Sequence, residues 1–373
     1  MSYYETIRSF AAEKVAPHTT RADKEGRFPI ESFEAIRASG YFGMMVPKEF
    51  GGLGGNMLDH AEACMALGEY CATTALCYMM HNVATLAVVM FGTDEMKREF
   101  LPQVAQGKKI MALAFSETGT GTHFYNPEIA ARDNGKTAIL NGSKSFVTTA
   151  LVADEYLVVA PSLEGEGLDV WSVPLGAKGL SFEPTAWDGL GMRGNNSMPM
   201  ILESLEIDKS RRIGGALKGT AVVFDAVGPL FIAGLAAIYS ALAIAAGNAA
   251  IDRAKNRRYG DNPLSHIPTV QEHLAKIYAL AQSAKALTLS AAKRGAEGAA
   301  DTFAQIVAAR INASDNAVEA CRLAMRVGGG AAYTKRLPLE RLLRDSYAAA
   351  VMAPSVDVLT IWLGRVLTDQ SPL

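Results

Sequence analysis

The sequence predicts an α+β chain built as helices, then strands, then helices. Three observations predict this. Residues 1–109 carry apolar residues at helical spacing, broken by Gly- and Pro-rich stretches. Residues 110–212 switch to short runs of alternating apolar and β-branched residues, TAILNGSKSFVTT, EYLVVAP and MPMILESLEI among them, separated by Gly, Asn and Pro. Residues 213–373 turn Ala- and Leu-rich, with long helical stretches such as LSHIPTVQEHLAKIYALAQSAKALTLSAAK.

In the first segment, APHTTRADKEGRFP and PKEFGGLGGN read as turns between helices. In the second, the strands read as an antiparallel β domain, and Asn141-Gly142 is a turn signal. In the third, residues 226–251, AVGPLFIAGLAAIYSALAIAAGNAAI, contain no charged side chain and are long enough to cross a bilayer. Their Ala and Gly content and the charged DRAKNRR that follows favour a helix buried on all sides in a bundle or subunit interface.

Composition narrows the function classes. Of 373 residues, 49% are hydrophobic and 20% charged, enough apolar chain for an extensive core. The net charge is −2 with basic residues scattered, so nothing predicts a nucleic-acid or anionic-membrane surface. Cys64, Cys71, Cys77 and Cys321 fit neither a zinc pattern nor a disulfide framework, and reduced thiols in a cytoplasmic protein are the expectation, with no metal. The N-terminus lacks an apolar signal-peptide core.

Two segments carry the chemistry. In FSETGTGTHF, residues 115–124, small residues let backbone N–H groups approach a ligand, and the Ser116 and Thr122 hydroxyls can bond carbonyl or phosphate oxygens. An ordinary strand-to-strand turn has the same composition. It is neither a Walker loop nor a dinucleotide fingerprint. In NGSKSFVTTA, residues 141–150, Phe146 and Thr148 fall on one strand face, where a ring can stack on a flat heterocycle while the hydroxyl bonds its edge, although by itself such a run is more often simply core strand.

Taken in order, these pieces resemble the acyl-CoA dehydrogenase family of flavoproteins. VPKEFGGLGG is similar to its Pro-x-x-x-Gly-Gly-x-Gly turn, FLPQVAQGKKIMALAFSETGTGTH to its "LP…G…TEPGAGSD" segment, and LNGSKSFVTTA to its "INGxKxWITN" strand. GLGMRGNNSMPMILESLEI is similar to "GxRxSxT…FxxVxVP", NRRYGDNPLSHIPTVQEHLA to "RxxFGxxxxxxQxxQxxLA", and RVGGGAAYTKRLPLERLLRDS to "QxxGGxGYxxxxPxERxxRDA". The resemblance spans nearly the whole chain.

It implies an N-terminal helical domain (1–109), a middle antiparallel β-barrel-like domain (110–212) and a C-terminal four-helix bundle (213–373), assembled as a homotetramer or dimer. It implies FAD, with Phe115, Ser116, Gly121 and Thr122 along the flavin and its pyrophosphate. Phe146 stands where the family stacks a tryptophan, and Thr148 reaches the flavin's polar edge. Tyr259, Gly260, Gly329 and Gly330 match a second set that serves a neighbouring subunit's cofactor; in that set the family's arginine falls on Asn256, with Arg257 beside it, and the family's glutamine falls on Arg326. The substrate implied is an acyl thioester on CoA or a carrier protein, or another small molecule. The electron acceptor is electron-transfer flavoprotein or O₂.

The catalytic base departs from the family. Aligned from Arg344-Asp345, the usual glutamate falls on Ala353, and the minority position, at the start of the first C-terminal helix, falls on Val227, with Gly228 replacing an arginine. A general base contributes about 10²–10⁴-fold, so its loss bears on mechanism. His81, in the apolar run CYMMHNVATLAVVMFG, is the first substitute, although a lone histidine among apolar residues is more often a satisfied core residue. Asp225 is a second substitute or a helix-start residue. Asp357 reads as a helix cap, and His123 as loop structure. Three functions stay open: a dehydrogenase with a non-standard base, an oxygen-using flavoprotein (monooxygenase or oxidase), and a base-less FAD-binding subunit of a hetero-oligomer.

Overall fold

The helical periodicity of the first hundred residues resolves into α1 (Tyr3–Lys14), α2 (Ala16–Glu25), α3 (Ile30–Ser39), α4 (Met57–Gly68), α5 (Ala72–Phe91) and α6 (Asp94–Ala105). The structure, a computed structural model, describes residues 2–183 and 188–373. The stretch APHTTRADKEGRFP is mostly not a turn, because Ala16–Glu25 is helix α2. Its proline lies in the first helical turn, where a missing N–H costs nothing, and Gly26 at φ +60° ends the helix with its N–H on the Ala22 and Asp23 carbonyls. Punctuating residues were thus present at both ends of a helix rather than within a loop.

PKEFGGLGGN does form a turn: a 3₁₀ turn at Lys48–Phe50, then Gly51 at φ +84° and Gly54 at φ +64°. A Cβ on Gly52 would stand 2.1 Å from the Val46 carbonyl oxygen, so only glycine fits. Asn56 then starts α4 with a reciprocal cap. Its side chain accepts from the Leu58 and Asp59 N–H groups, and Asp59 accepts from the Asn56 N–H.

Seven strands follow: β1 (Met111–Ala114), β2 (Ala130–Asn134), β3 (Thr137–Val147), β4 (Glu155–Pro161), β5 (Leu168–Pro174), β6 (Leu180–Phe182) and β7 (Met198–Asp208). They form a three-stranded sheet ordered β1-β4-β5 and a four-stranded sheet ordered β2-β3-β7-β6. The sheets are not antiparallel throughout. β1 and β4 are parallel, Met111 opposite Glu155 and Ala114 opposite Val158. The chain leaves the first sheet to make the β2–β3 hairpin in the second, then re-enters beside β1 in the same direction.

Asn141-Gly142 is not a hairpin turn either; it lies within β3, at a shift of register between Leu140 and Gly142. Ile129 explains the glycine, since a Cβ on Gly142 would lie 2.6 Å from the Ile129 Cγ2. The hairpin reversal falls at residues 134–137, with Gly135 at φ +74°.

The last third comprises α7 (Gly219–Ala221), a π-helical turn at Val222–Val227, α8 (Gly228–Asn256), the short ribbon β8 (Arg258–Tyr259) and β9 (Asn262–Pro263), α9 (Pro268–Ala296), α10 (Thr302–Gly328), α11 (Leu339–Ser346), α12 (Ala348–Val351) and α13 (Val356–Val366). Three long helices make the bundle's body, and the broken run α11–α13 packs along α10 as its fourth part. By length and composition, Ala72–Phe91 and Gly219–Asn256 could each cross a membrane, yet most of each is buried inside the protein. α8 approaches α4 and α5 so closely that a Cβ on Gly234 would meet Met79 at 2.6 Å and the His60 imidazole at 2.7 Å. That contact, with α9 and α10 on the other sides, accounts for a helix apolar all round.

Candidate active site

Where the β domain meets α8 and the α11–α13 run, a cavity of about 810 Å³ opens to the surface. Its size is in the range of small-molecule sites, about 300–1,000 Å³. Phe115, Ser116, Gly121, Thr122, Phe146 and Thr148 all line it. So do Ala353 and Val227.

Local backbone aims these side chains. β3 breaks register between Lys144 and Val147, and within that bulge Phe146 takes φ +54°, a conformation that costs a non-glycine residue of order 1 kcal/mol or more. The result is a ring 64% exposed at the cavity's edge. Two residues on, buried Thr148 shares a 3.0 Å hydrogen bond with the Ser197 hydroxyl. Ser197 also lines the cavity, as does Asn195, whose side chain accepts the Ser197 N–H. On the opposite side, the Thr122 hydroxyl accepts the Ser355 N–H at 3.1 Å, tying the loop after β1 to the loop before α13.

The ionic groups at the cavity are already engaged. Glu117, on the lining, accepts from Lys144 Nζ at 2.5 Å and from the Glu128 N–H at 2.8 Å. Lys144 is fully buried, and desolvation pulls its pKa below the usual lysine range against the attraction of Glu117. Arg344 donates to Asp23 at 2.6 Å and to Glu340 at 2.7 Å. Among the described lining residues Glu117 is the one carboxylate, and it is spoken for.

The substitute bases do not reach the cavity. His81 is fully buried, but its Nδ1 accepts the Met111 N–H at 3.1 Å and its Nε2 lies 3.0 Å from the Phe42 carbonyl. Both nitrogens serve the backbone, so His81 joins α5 to β1 and to the turn at Phe42. Burial lowers its pKa to about 4. Asp225 is exposed on the π-helical turn and absent from the lining, because the rotation over two residues turns it away from the buried Val227. Asp357 is exposed in the first turn of α13, and His123 is exposed beside the Tyr125 hydroxyl.

Arg257, Tyr259, Arg326, Gly329 and Gly330 are likewise not brought to the cavity within one chain. They lie exposed where α8 ends and where α10 ends. Arg257 stacks on the Tyr259 ring at 5.0 Å.

Sequence reasoning missed Ser145, Asn195 and Ser197 on the polar side of the cavity. The Ser145 hydroxyl is buried there without a hydrogen-bond partner among the described residues. Ser145 lay within the NGSKSFVTTA strand already singled out. The polar run GNNS of residues 194–197 was the available signal for the other two. The lining is also strongly aromatic, with Phe224, Phe231, Phe303 and Trp362 among its residues.

Family models match the chain along its length: the acyl-CoA dehydrogenase N-terminal domain over residues 2–108, middle domain over 112–205 and C-terminal domain over 233–367. A probable acyl-CoA dehydrogenase of Bacillus subtilis is 28% identical over 97% of this chain and 96% of its own. A 3-(aryl)acrylate reductase of Clostridium sporogenes is 30% identical over 94% and 93%. The structure of butyryl-CoA dehydrogenase from Megasphaera elsdenii superposes with a TM-score of 0.92 at 24% identity, covering 98% of this chain and 97% of that one. The chain belongs to the acyl-CoA dehydrogenase family and is a flavin-dependent oxidoreductase.

Proposed function

We propose that the chain holds FAD in this cavity and performs a redox reaction on an acyl thioester without a side-chain carboxylate as base. The observation that carries the reading is convergence: the residues assigned to the flavin and both base positions line one cavity. The residues present fit the group. The exposed Phe146 ring offers a flat apolar face, and the partnerless Ser145 hydroxyl, with Ser116 and Thr148, offers donors and acceptors for a polar edge. When bound, FAD supplies a two-electron acceptor or donor.

The chain's own residues supply position and dryness. Ala353 and Val227 present aliphatic surface where an acid–base group would stand, so any proton moved there passes through substrate or water rather than a carboxylate. The aromatic lining of Phe224, Phe231, Phe303 and Trp362 suits the apolar part of an acyl group, carried on CoA or a carrier protein. Arg257, Tyr259, Arg326, Gly329 and Gly330 would serve a neighbouring copy's FAD in a homotetramer or dimer, with electron-transfer flavoprotein or O₂ as electron acceptor.

A second reading, oxygen use by reduced flavin, is favoured by the same two aliphatic positions, since that chemistry needs no α-proton base. A purified sample separates the readings. Bleaching of the flavin band by acyl thioesters without air supports the first; flavin inert to them but consuming O₂ on an added substrate once reduced supports the second. A protein that takes up no FAD sinks both. Ala353→Glu should raise the rate of anaerobic bleaching by up to about 10²-fold, the lower end of general-base effects. An unchanged rate would argue that residue 353 is not the lost base position.

A further inference from the structure

A cation with no ion-pair partner among the described residues lies behind the cavity wall. Arg310, mid-way along α10, is fully buried. Its Nη1 donates to the Ser314 hydroxyl and, at 3.1 Å, to the Ala349 carbonyl. Its Nε and Nη2 have no hydrogen-bond partner among the described residues. The carboxylate that bears on it electrostatically, Asp315, is exposed and forms no ion pair with it. The Tyr239 ring lies 4.5 Å from the guanidinium, and the Tyr239 hydroxyl reaches Met352 Sδ at 3.7 Å. Ala348, Val351, Met352 and Ala353 line the cavity, so Arg310 grips the back of the wall whose front faces the ligand.

A guanidinium taken from water without a carboxylate destabilises a fold, and two idle donors add to that. An apolar side chain of similar volume would fill the same space more favourably. A charge kept in such a place acts on what lies beyond the wall, because dry, apolar surroundings screen it weakly. Glu117 and Arg344, the charged residues on the lining, are each held in ion pairs.

We propose that Arg310 biases the cavity toward ligands that carry or develop negative charge beside the Ala353 wall: a carboxylate, or a thioester carbonyl oxygen as it gains charge. Arg310 does not touch the ligand. It is a positioning residue that fixes α12 through the Ala349 carbonyl and sets the local potential. The inference rests on the cavity being the acyl site.

Calorimetric titration of the purified protein with 3-phenylpropanoate and 3-phenylpropanamide, alike in shape and different in charge, tests it. Wild type should bind the acid about ten-fold or more tighter than the amide, a gap of about 1.4 kcal/mol. Arg310→Lys should keep the preference, and Arg310→Met should lose it while amide affinity holds. Equal affinities in wild type overturn the proposal, whether or not Arg310→Met folds, as does a preference that survives in a folded Arg310→Met. That failure leaves the acyl-site reading standing. If neither compound binds wild type, the acyl-site reading falls and takes the proposal with it.

Discussion

His81 and Ala353 exchange the importance their chemistry suggests. The imidazole is the one basic side chain in its apolar run, yet it spends both nitrogens on backbone groups of Phe42 and Met111. Replacing it leaves two buried polar groups unpaired, each costing about 1–3 kcal/mol. His81→Leu should therefore lower unfolding stability in urea by about 2–5 kcal/mol and leave the rate of flavin reduction unchanged. The acid limb follows from burial. With a folded pKa near 4 against an ordinary ~6.5, the unfolded chain binds the extra proton first. The group's stability contribution is complete above pH ~6.5 and fades as pH falls toward 4, so His81→Leu should flatten that limb. Equal slopes in both proteins would exclude this account. Ala353, with no chemistry of its own, lines the cavity wall, and it is there that we propose the base position was lost.

At the scale of elements, close approach decides what the periodicity leaves open. α8 reads as a possible membrane span until Gly234 is seen against Met79 and His60. Gly234→Val should destabilise the fold by about 1–3 kcal/mol or more through overpacking, read as a lower urea midpoint with unchanged m-value. No loss of stability would mean that α4 and α5 move aside freely. α2 and β3 teach the complementary lesson about legibility. Gly, Pro and Asn announce a change of backbone direction but not its kind: Gly26 ends a helix, and Gly142 makes room for Ile129 inside a strand. The order of helices, strands and helices was legible because period is local. The Lys144–Glu117 pair and the orphaned Ser145 hydroxyl were not, because the first spans 27 residues and the second is defined by what fails to reach it.

On the scale of the whole molecule, one chain presents a cavity at one place and a set of exposed ring, cationic and glycine residues at another. Tyr333, near that second set, is 89% exposed. If a neighbouring copy's FAD uses this surface, Arg326→Glu should lower flavin content per chain, most strongly on dilution, with circular dichroism unchanged. Flavin content indifferent to both substitution and dilution would count against it. Sequence motifs reveal both halves equally well, since each is a local string. Their separation within one chain is a property of the bundle's length and appears only in three dimensions.

The tie between Thr122 and Ser355 has a consequence for biosynthesis. The two residues are 233 positions apart, and the wall they complete comes from the last helices of the chain. At typical translation rates of about 5–20 residues per second, roughly 10–50 s separate their synthesis. During that interval the β-domain half of the pocket stands open on the ribosome, with Phe146 and its hydroxyl neighbours uncovered. A ligand that needs both halves of the pocket is then held only after residue 355 has been made.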